Sequence, residues 1–159
     1  MKIKGLKDED FVNFKKPSMF IIAPSCTFKC DIDNNCEVCQ NSHLAHAPII
    51  EIDNQTLIER YLNNNITKAI VFGGLEPLDN FKEMFDFIKL LRKEYCCKDE
   101  IVIYTGYNKF ELTEQLKILK QFPNIIVKFG RYFKDCEPIY DEVLGLELAS
   151  PNQYAERIS

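Results

Sequence analysis

The chain has 159 residues, 46% of them apolar, and a formal net charge of −4 at neutral pH. That length fits a single domain, 1–159, with enough apolar material for a real core. An isoelectric point near 5.3, with basic residues scattered rather than clustered, gives no electrostatic footprint for nucleic acid and leaves proteins or small molecules as partners.

Residues 1–17 mix Ile3, Leu6, Phe11, Val12 and Phe14 with charges and read as a lead-in segment packed on the body. They carry no apolar h-region, and no run anywhere in the sequence is long enough to span a bilayer, so a soluble cytoplasmic protein is expected. Met19 to Ala23, bounded by Pro17 and Pro24, is too short for a helix and reads as a buried strand. A polar loop rich in Cys follows it. Asp53 or Asn54 then caps a helix with Leu57, Ile58, Tyr61 and Leu62 at helical spacing, stopped by Asn63-Asn64-Asn65.

Ala69 to Phe72 is the second strand, broken by Gly73-Gly74. Asn80 and Glu83 suggest a capping box for a helix whose Phe81, Met84, Phe85, Ile88, Leu91 and Tyr95 form one apolar face. Ile101 to Tyr104 is the third strand and Thr105-Gly106-Tyr107 its exit. Asn108 and Glu111 offer a second capping box, before Leu112, Leu116, Leu119 and Phe122. Ile125 to Val127 is the fourth strand. Gly130 and Pro138 punctuate what comes next, Leu144 to Leu148 reads as a short last strand, and Ser150 to Gln153 as an irregular end.

Alternating strands and helices with near-continuous apolar strands predict parallel β/α units joined by right-handed crossovers. Loops after parallel strands emerge on one side, where such folds build their sites. The Cys loop, the Gly73-Gly74 exit, the Thr105 exit and Gly130 would therefore converge.

The Cys loop is the chemical centre. Cys26, Cys30, Cys36 and Cys39 fall within fourteen residues, and thiolates are soft ligands suited to zinc or to iron-sulfur clusters. Seven Cys in total, four crowded and Cys96, Cys97 and Cys136 scattered, do not resemble a secreted disulfide framework. On spacing alone, a structural zinc knot and an iron-sulfur cluster are both open. His43 and His46 read as neighbours rather than ligands, and the scattered Cys as idle thiols.

Cys26-x3-Cys30, Val38-Cys39-Gln40-Asn41, Gly73-Gly74-Leu75-Glu76-Pro77, Thr105-Gly106-Tyr107 and Ser150-x-Asn152-Gln153 together make the sequence resemble the radical S-adenosylmethionine (SAM) enzymes. Within them it looks most like the small activating proteins of anaerobic (class III) ribonucleotide reductase. The resemblance runs from residue 26 to 153. It implies an α/β fold, an incomplete, partial parallel β/α barrel of the radical SAM type, with a 4Fe-4S cluster and SAM on the C-terminal face of the sheet.

It also implies three Cys ligands, because a fourth would block the iron that SAM chelates. Cys26, Cys30 and Cys39 are the expected set, with Cys36 as the alternative to Cys39. Val38 would lie on adenine, Asn41 repeats the family's Cys-x-Asn, Gly73 and Gly74 would admit the methionine moiety, and Glu76 would meet its ammonium. Thr105, Ser150 and Asn152 complete the cofactor positions that the resemblance marks.

The activity implied is an oxidoreductase that cleaves SAM reductively and makes a glycyl radical on the anaerobic ribonucleoside-triphosphate reductase catalytic subunit. A one-electron donor such as flavodoxin is implied too, and self-association is compatible. The chain departs from the family in three places: Cys39 lies nine positions beyond Cys30, Leu75 is inserted before Glu76, and Phe129-Gly130 stands where Asp-Gly is common. Activation of another glycyl radical enzyme, a different small radical SAM reaction, and a non-catalytic zinc or iron-sulfur module are the rival readings.

Overall fold

Residues of the central strands alternate between two buried faces, which is why those strands read as unbroken apolar runs. The computed structural model describes every residue from Met1 to Ser159. In order these form β1 (Lys2–Ile3), β2 (Gly5–Asp10), β3 (Ser18–Ile22), α1 (Lys29–Asn34), β4 (Ile50–Glu51), α2 (Asn54–Leu62), β5 (Ala69–Gly73), α3 (Phe81–Lys93), β6 (Glu100–Tyr104), α4 (Thr113–Leu119), β7 (Ile125–Phe129), β8 (Ile139–Asp141), β9 (Leu146–Leu148) and β10 (Tyr154–Arg157).

Six strands make one open sheet in the order β10-β7-β6-β5-β3-β2. The inner four, β3, β5, β6 and β7, are parallel, as the strand-helix alternation predicts. The margins are not: β2 pairs antiparallel with β3, and β10 antiparallel with β7. The sheet closes into no barrel. The lead-in segment thus supplies an edge strand, Gly5–Asp10, and the irregular end gives way to another. Neither shows period-two patterning, because edge strands here are only half buried and their pairing rests on backbone hydrogen bonds.

On one face Met19, Ile21, Ile70, Phe72, Ile101, Ile103, Ile125 and Val127 meet the apolar sides of α2, α3 and α4. Phe87 of α3 is fully buried edge-on against Phe72, ring centroids 5.6 Å apart, and truncating such a side chain to Ala costs about 3–5 kcal/mol. On the other face Ala69, Val71, Val102 and Ile126 are covered by Phe14, by Leu144, and by Leu148 at the end of β9. β9 pairs with β8 in a small hairpin, so the predicted last strand is one arm of a lid over this second face.

Asp53 caps α2 by accepting a hydrogen bond from the Thr56 amide at 3.1 Å. The Asn108–Glu111 capping box forms, opening a 3-10 turn that leads into α4. The Asn80–Glu83 box does not. Asn80 donates to Ser25 Oγ instead, and Glu83 accepts from the Lys2 amide. A 3-10 turn, Pro77–Asn80, precedes α3 and is capped by Glu76. The tertiary partners outcompete the local box.

Candidate metal centre

The Cys loop leaves β3 through Pro24 and folds on itself rather than dangling. Phe28 and Asn35, both in the left-handed region (φ 51° and 53°), bracket the short helix α1. Asp31 closes the far side: its Oδ1 accepts from the amides of Val38 at 2.7 Å and Cys39 at 2.8 Å. The long stretch between Cys30 and Cys39 is therefore tied down at its far end.

Three further links fix this loop to the neighbouring strand exits. Ser25 O accepts from the Glu76 amide at 3.1 Å. Asp79 accepts from the Thr27 amide at 2.7 Å and from the Tyr107 hydroxyl at 2.6 Å, joining the Cys loop to the Thr105-Gly106-Tyr107 turn. Arg131, just beyond β7 and 5% exposed, pairs with Asp33 and Glu111 at 2.8 Å each, donates to Gly106 O and lies over the Tyr107 ring. The loops are cross-braced before any ligand arrives.

Between them opens a cleft of about 480 Å³ at the carboxyl ends of the parallel strands, where open α/β sheets place their ligand sites. Cys26, Cys30, Cys39, Asn41, Gly74, Glu76 and Thr105 line it. A wider depression at the opposite end of the strands, lined by Lys16, Lys68, Lys98 and Arg157 among others, holds no thiol. The chemistry lies in the first.

Cys26, Cys30 and Cys39 are half-buried, whereas Cys36 is exposed and turned to the Asn34 carbonyl. The Phe28 amide donates to Cys26 Sγ at 3.2 Å and the Tyr132 amide to Cys30 Sγ at 3.3 Å. Hydrogen bonds to sulfur are among the levers that tune iron-sulfur centres. Gly106 lies against the site, its Cβ position 3.4 Å from Cys30 Sγ and 3.7 Å from Glu76 Oε2.

Burial pushes the Cys26 thiol up to about 12, with the charges of Glu76, Asp79 and Cys39 adding to it against the Phe28 amide. Cys39 is raised by burial too, opposed by the Asn41 amide, with Asp31 and Cys30 adding. Cys39 thus lies within electrostatic reach of both Cys26 and Cys30. Cys26 and Cys39 therefore stay protonated until a cation displaces the protons. No three Cys, His, Asp or Glu side chains converge on a point that one ion would occupy. The thiolates of a cubane cluster each take a different iron and stand further apart than those around a single zinc, which holds sulfur at about 2.3 Å.

Glu76 is 6% exposed. Its Oε1 accepts from the Leu78 amide at 3.1 Å and its Oε2 from the Gly106 amide at 2.8 Å. Burial nevertheless pushes its carboxyl up to about 7, the Gly106, Leu78 and Thr105 hydrogen bonds opposing. Thr105 accepts from the Tyr107 amide at 3.0 Å and so shapes its own turn.

Gly73 lies beneath the cleft, where a Cβ would meet the Phe20 ring at 3.1 Å and Tyr104 Cβ at 3.3 Å. Val38 is half-buried outside the lining. Ser150 is fully buried with an unpartnered hydroxyl, and exposed Asn152 donates to Arg131 O at 2.9 Å. Of that motif Gln153 reaches the lining, bonding Ala149 N and Gly130 O. His43 and His46 are exposed on a 3-10 turn outside the cleft, as are Cys96 and Cys136, with Cys97 half-buried by α3.

Three half-buried thiols grouped at the carboxyl edge of a parallel sheet make a candidate thiolate centre. The family described as a 4Fe-4S single cluster domain matches residues 18–142. The chain belongs to that family and is an iron-sulfur protein. No curated protein and no solved structure matches it. No helix is long and apolar enough to cross a membrane.

Asp31, Arg131 and Lys128 escaped the sequence reading. Lys128 carried a signal: a charge at the end of a strand buried on both faces interrupts the apolar run that such strands require.

Proposed function

We propose that this protein is a radical SAM activase that makes a glycyl radical on anaerobic ribonucleoside-triphosphate reductase. The observation that carries the reading is the donor set, three thiols facing a cleft and a fourth facing away, set among Gly74, Glu76 and the Thr105-Gly106-Tyr107 turn. Cys26, Cys30 and Cys39 would hold a 4Fe-4S cluster with one iron open to SAM. When bound and reduced, that group supplies one electron to the sulfonium of SAM and so releases a deoxyadenosyl radical for hydrogen abstraction. The open parallel core, with its sites at the strand ends, is compatible with a partial radical SAM barrel.

This chain's residues bind and orient. Gly74, at φ +74°, lets backbone approach the ligand without a side chain in between. Glu76, already pinned by two amides, offers its remaining lone pairs to an ammonium. Asn41, which lines the cleft, would border the adenine side, whereas Val38 lies outside the lining. The cleft opens widely, so a docking reductase would complete it, and a donor such as flavodoxin would deliver the electron.

The test is anaerobic reconstitution with iron and sulfide, followed by reduction and assay of 5'-deoxyadenosine released from SAM. Electron paramagnetic resonance on the mixed reductase subunit then seeks the glycyl radical. Release and a glycyl doublet are expected. SAM cleavage without a doublet moves the target to another glycyl radical enzyme or another small radical SAM reaction. A loaded cluster without cleavage leaves an iron-sulfur module with no radical chemistry.

A further inference from the structure

One charged group faces the cleft with no part in the roles above. Lys128 sits at the end of β7, paired across the ladder with Tyr104, on the sheet face opposite the helices. It is 7% exposed, and it is the sole cation among the residues lining the cleft. Its ammonium donates to the Gly130 carbonyl at 3.2 Å and to nothing else in the protein. Two of its three donors are thus without a protein partner.

Burying an ammonium with so few partners is costly. The fold does not require it, because the preceding residue on the same face, Ile126, packs in the apolar cluster there. Burial pulls the ammonium down to about 8, and the groups that oppose this by favouring its charge are Cys30 and Glu76. A positive charge held within reach of a cluster ligand acts on whatever charge that ligand carries, and it acts more strongly from a buried position such as that of Lys128.

We propose that Lys128 sets the reducibility of the cluster, as the buried countercharge that favours its one-electron-reduced state. The inference rests on ligation by Cys26, Cys30 and Cys39. Three thiolates around a doubly charged core sum to one negative charge. One electron from an external donor protein brings the total to two, with no bond made or broken and no proton moved. Lys128 stabilises the second state more than the first and so raises the midpoint potential, net charge being a recognised determinant of such potentials.

The experiment loads wild type, Lys128→Met, Lys128→Gln and Lys128→Arg with cluster anaerobically, and checks iron content and visible absorbance. Each is then titrated with dithionite in the presence of redox mediators. At the wild-type midpoint, the reduced-to-oxidised ratio of loaded Lys128→Met is expected to fall at least tenfold, a shift of about 59 mV for a one-electron couple. Lys128→Arg should stay within about threefold of wild type.

A fully loaded Lys128→Met with the wild-type ratio overturns the proposal, as does a Lys128→Arg that shifts as far as Lys128→Met. Failure of both neutral variants to load, with Lys128→Arg loading normally, also overturns it, because Lys128 would then serve assembly. Retention of the cluster by Cys26→Ala, Cys30→Ala or Cys39→Ala would instead sink the ligand assignment, a separate result.

Discussion

Asp31 holds Cys39 by its backbone: one carboxylate oxygen takes the Cys39 amide at 2.8 Å and the Val38 amide at 2.7 Å. The long spacing between Cys30 and Cys39 is thereby folded into a closed turn, and a thiol distant in sequence stands beside the other two. Replacing Asp31 with Ala leaves both amides without that acceptor, a local cost of about 1–3 kcal/mol. The variant should fold and load, yet lose iron to a chelator several-fold faster than wild type.

The cysteines sort by where they face. Cys26→Ala, Cys30→Ala and Cys39→Ala should each abolish cluster loading, read as iron content and visible absorbance after anaerobic reconstitution. Cys36→Ala should load like wild type, since its thiol is exposed and outside the cleft. A Cys36→Ala protein without cluster would move the third ligand to Cys36.

Glu76 should matter to the ligand as well as to the loops. With two amides fixed on its oxygens, Glu76→Ala removes a charge-assisted acceptor worth about 1.5–3 kcal/mol and leaves the Gly106 amide unpaired. SAM affinity of the loaded protein, measured by equilibrium binding, should weaken tenfold or more. Unchanged affinity would refute the ammonium contact.

Gly130 cannot be replaced cheaply. Its φ is +101°, and a Cβ would lie 2.7 Å from the Asn152 backbone oxygen. Gly130→Ala combines left-handed strain with a backbone clash and should cost at least about 2 kcal/mol in urea denaturation. The Ser150-to-Gln153 turn, which clasps the exit of β7, would be displaced with it.

Acid should weaken the fold through Asp10. Burial pushes this carboxyl up, but the Asn13 amide, the Lys7 ammonium, the Asn13 side chain and the Val12 amide together hold it below its ordinary value. A depressed folded-state value means that the unfolded chain takes up protons first as pH drops. The contribution is complete above the ordinary carboxylate range and disappears as pH falls through the folded value, roughly between pH 5 and pH 2. Denaturation midpoints across that interval should fall less steeply in Asp10→Asn than in wild type.

The inner sheet was legible because β3, β5, β6 and β7 bury both faces, and unbroken runs such as Ile101 to Ile103 admit no other reading at that length. The margins were not, because Gly5 to Asp10 and Tyr154 to Arg157 gain their strand state from partners distant in sequence. In the site, residue types gave the thiols, the glycines and Glu76. What they could not give was direction. That Cys36 faces out while Cys39 faces in depends on an Asp31 side chain closing over the turn, and nothing local distinguishes that carboxylate from Asp33, which instead reaches Arg131.

The two antiparallel margins carry a consequence for crowding. Lys7, Asp8 and Glu9 lie along one outer strand, Glu156 and Arg157 along the other. Charge stands where an incoming strand would have to pair, so the open sheet resists growing edge to edge into fibrils or stacked oligomers, although no barrel seals it.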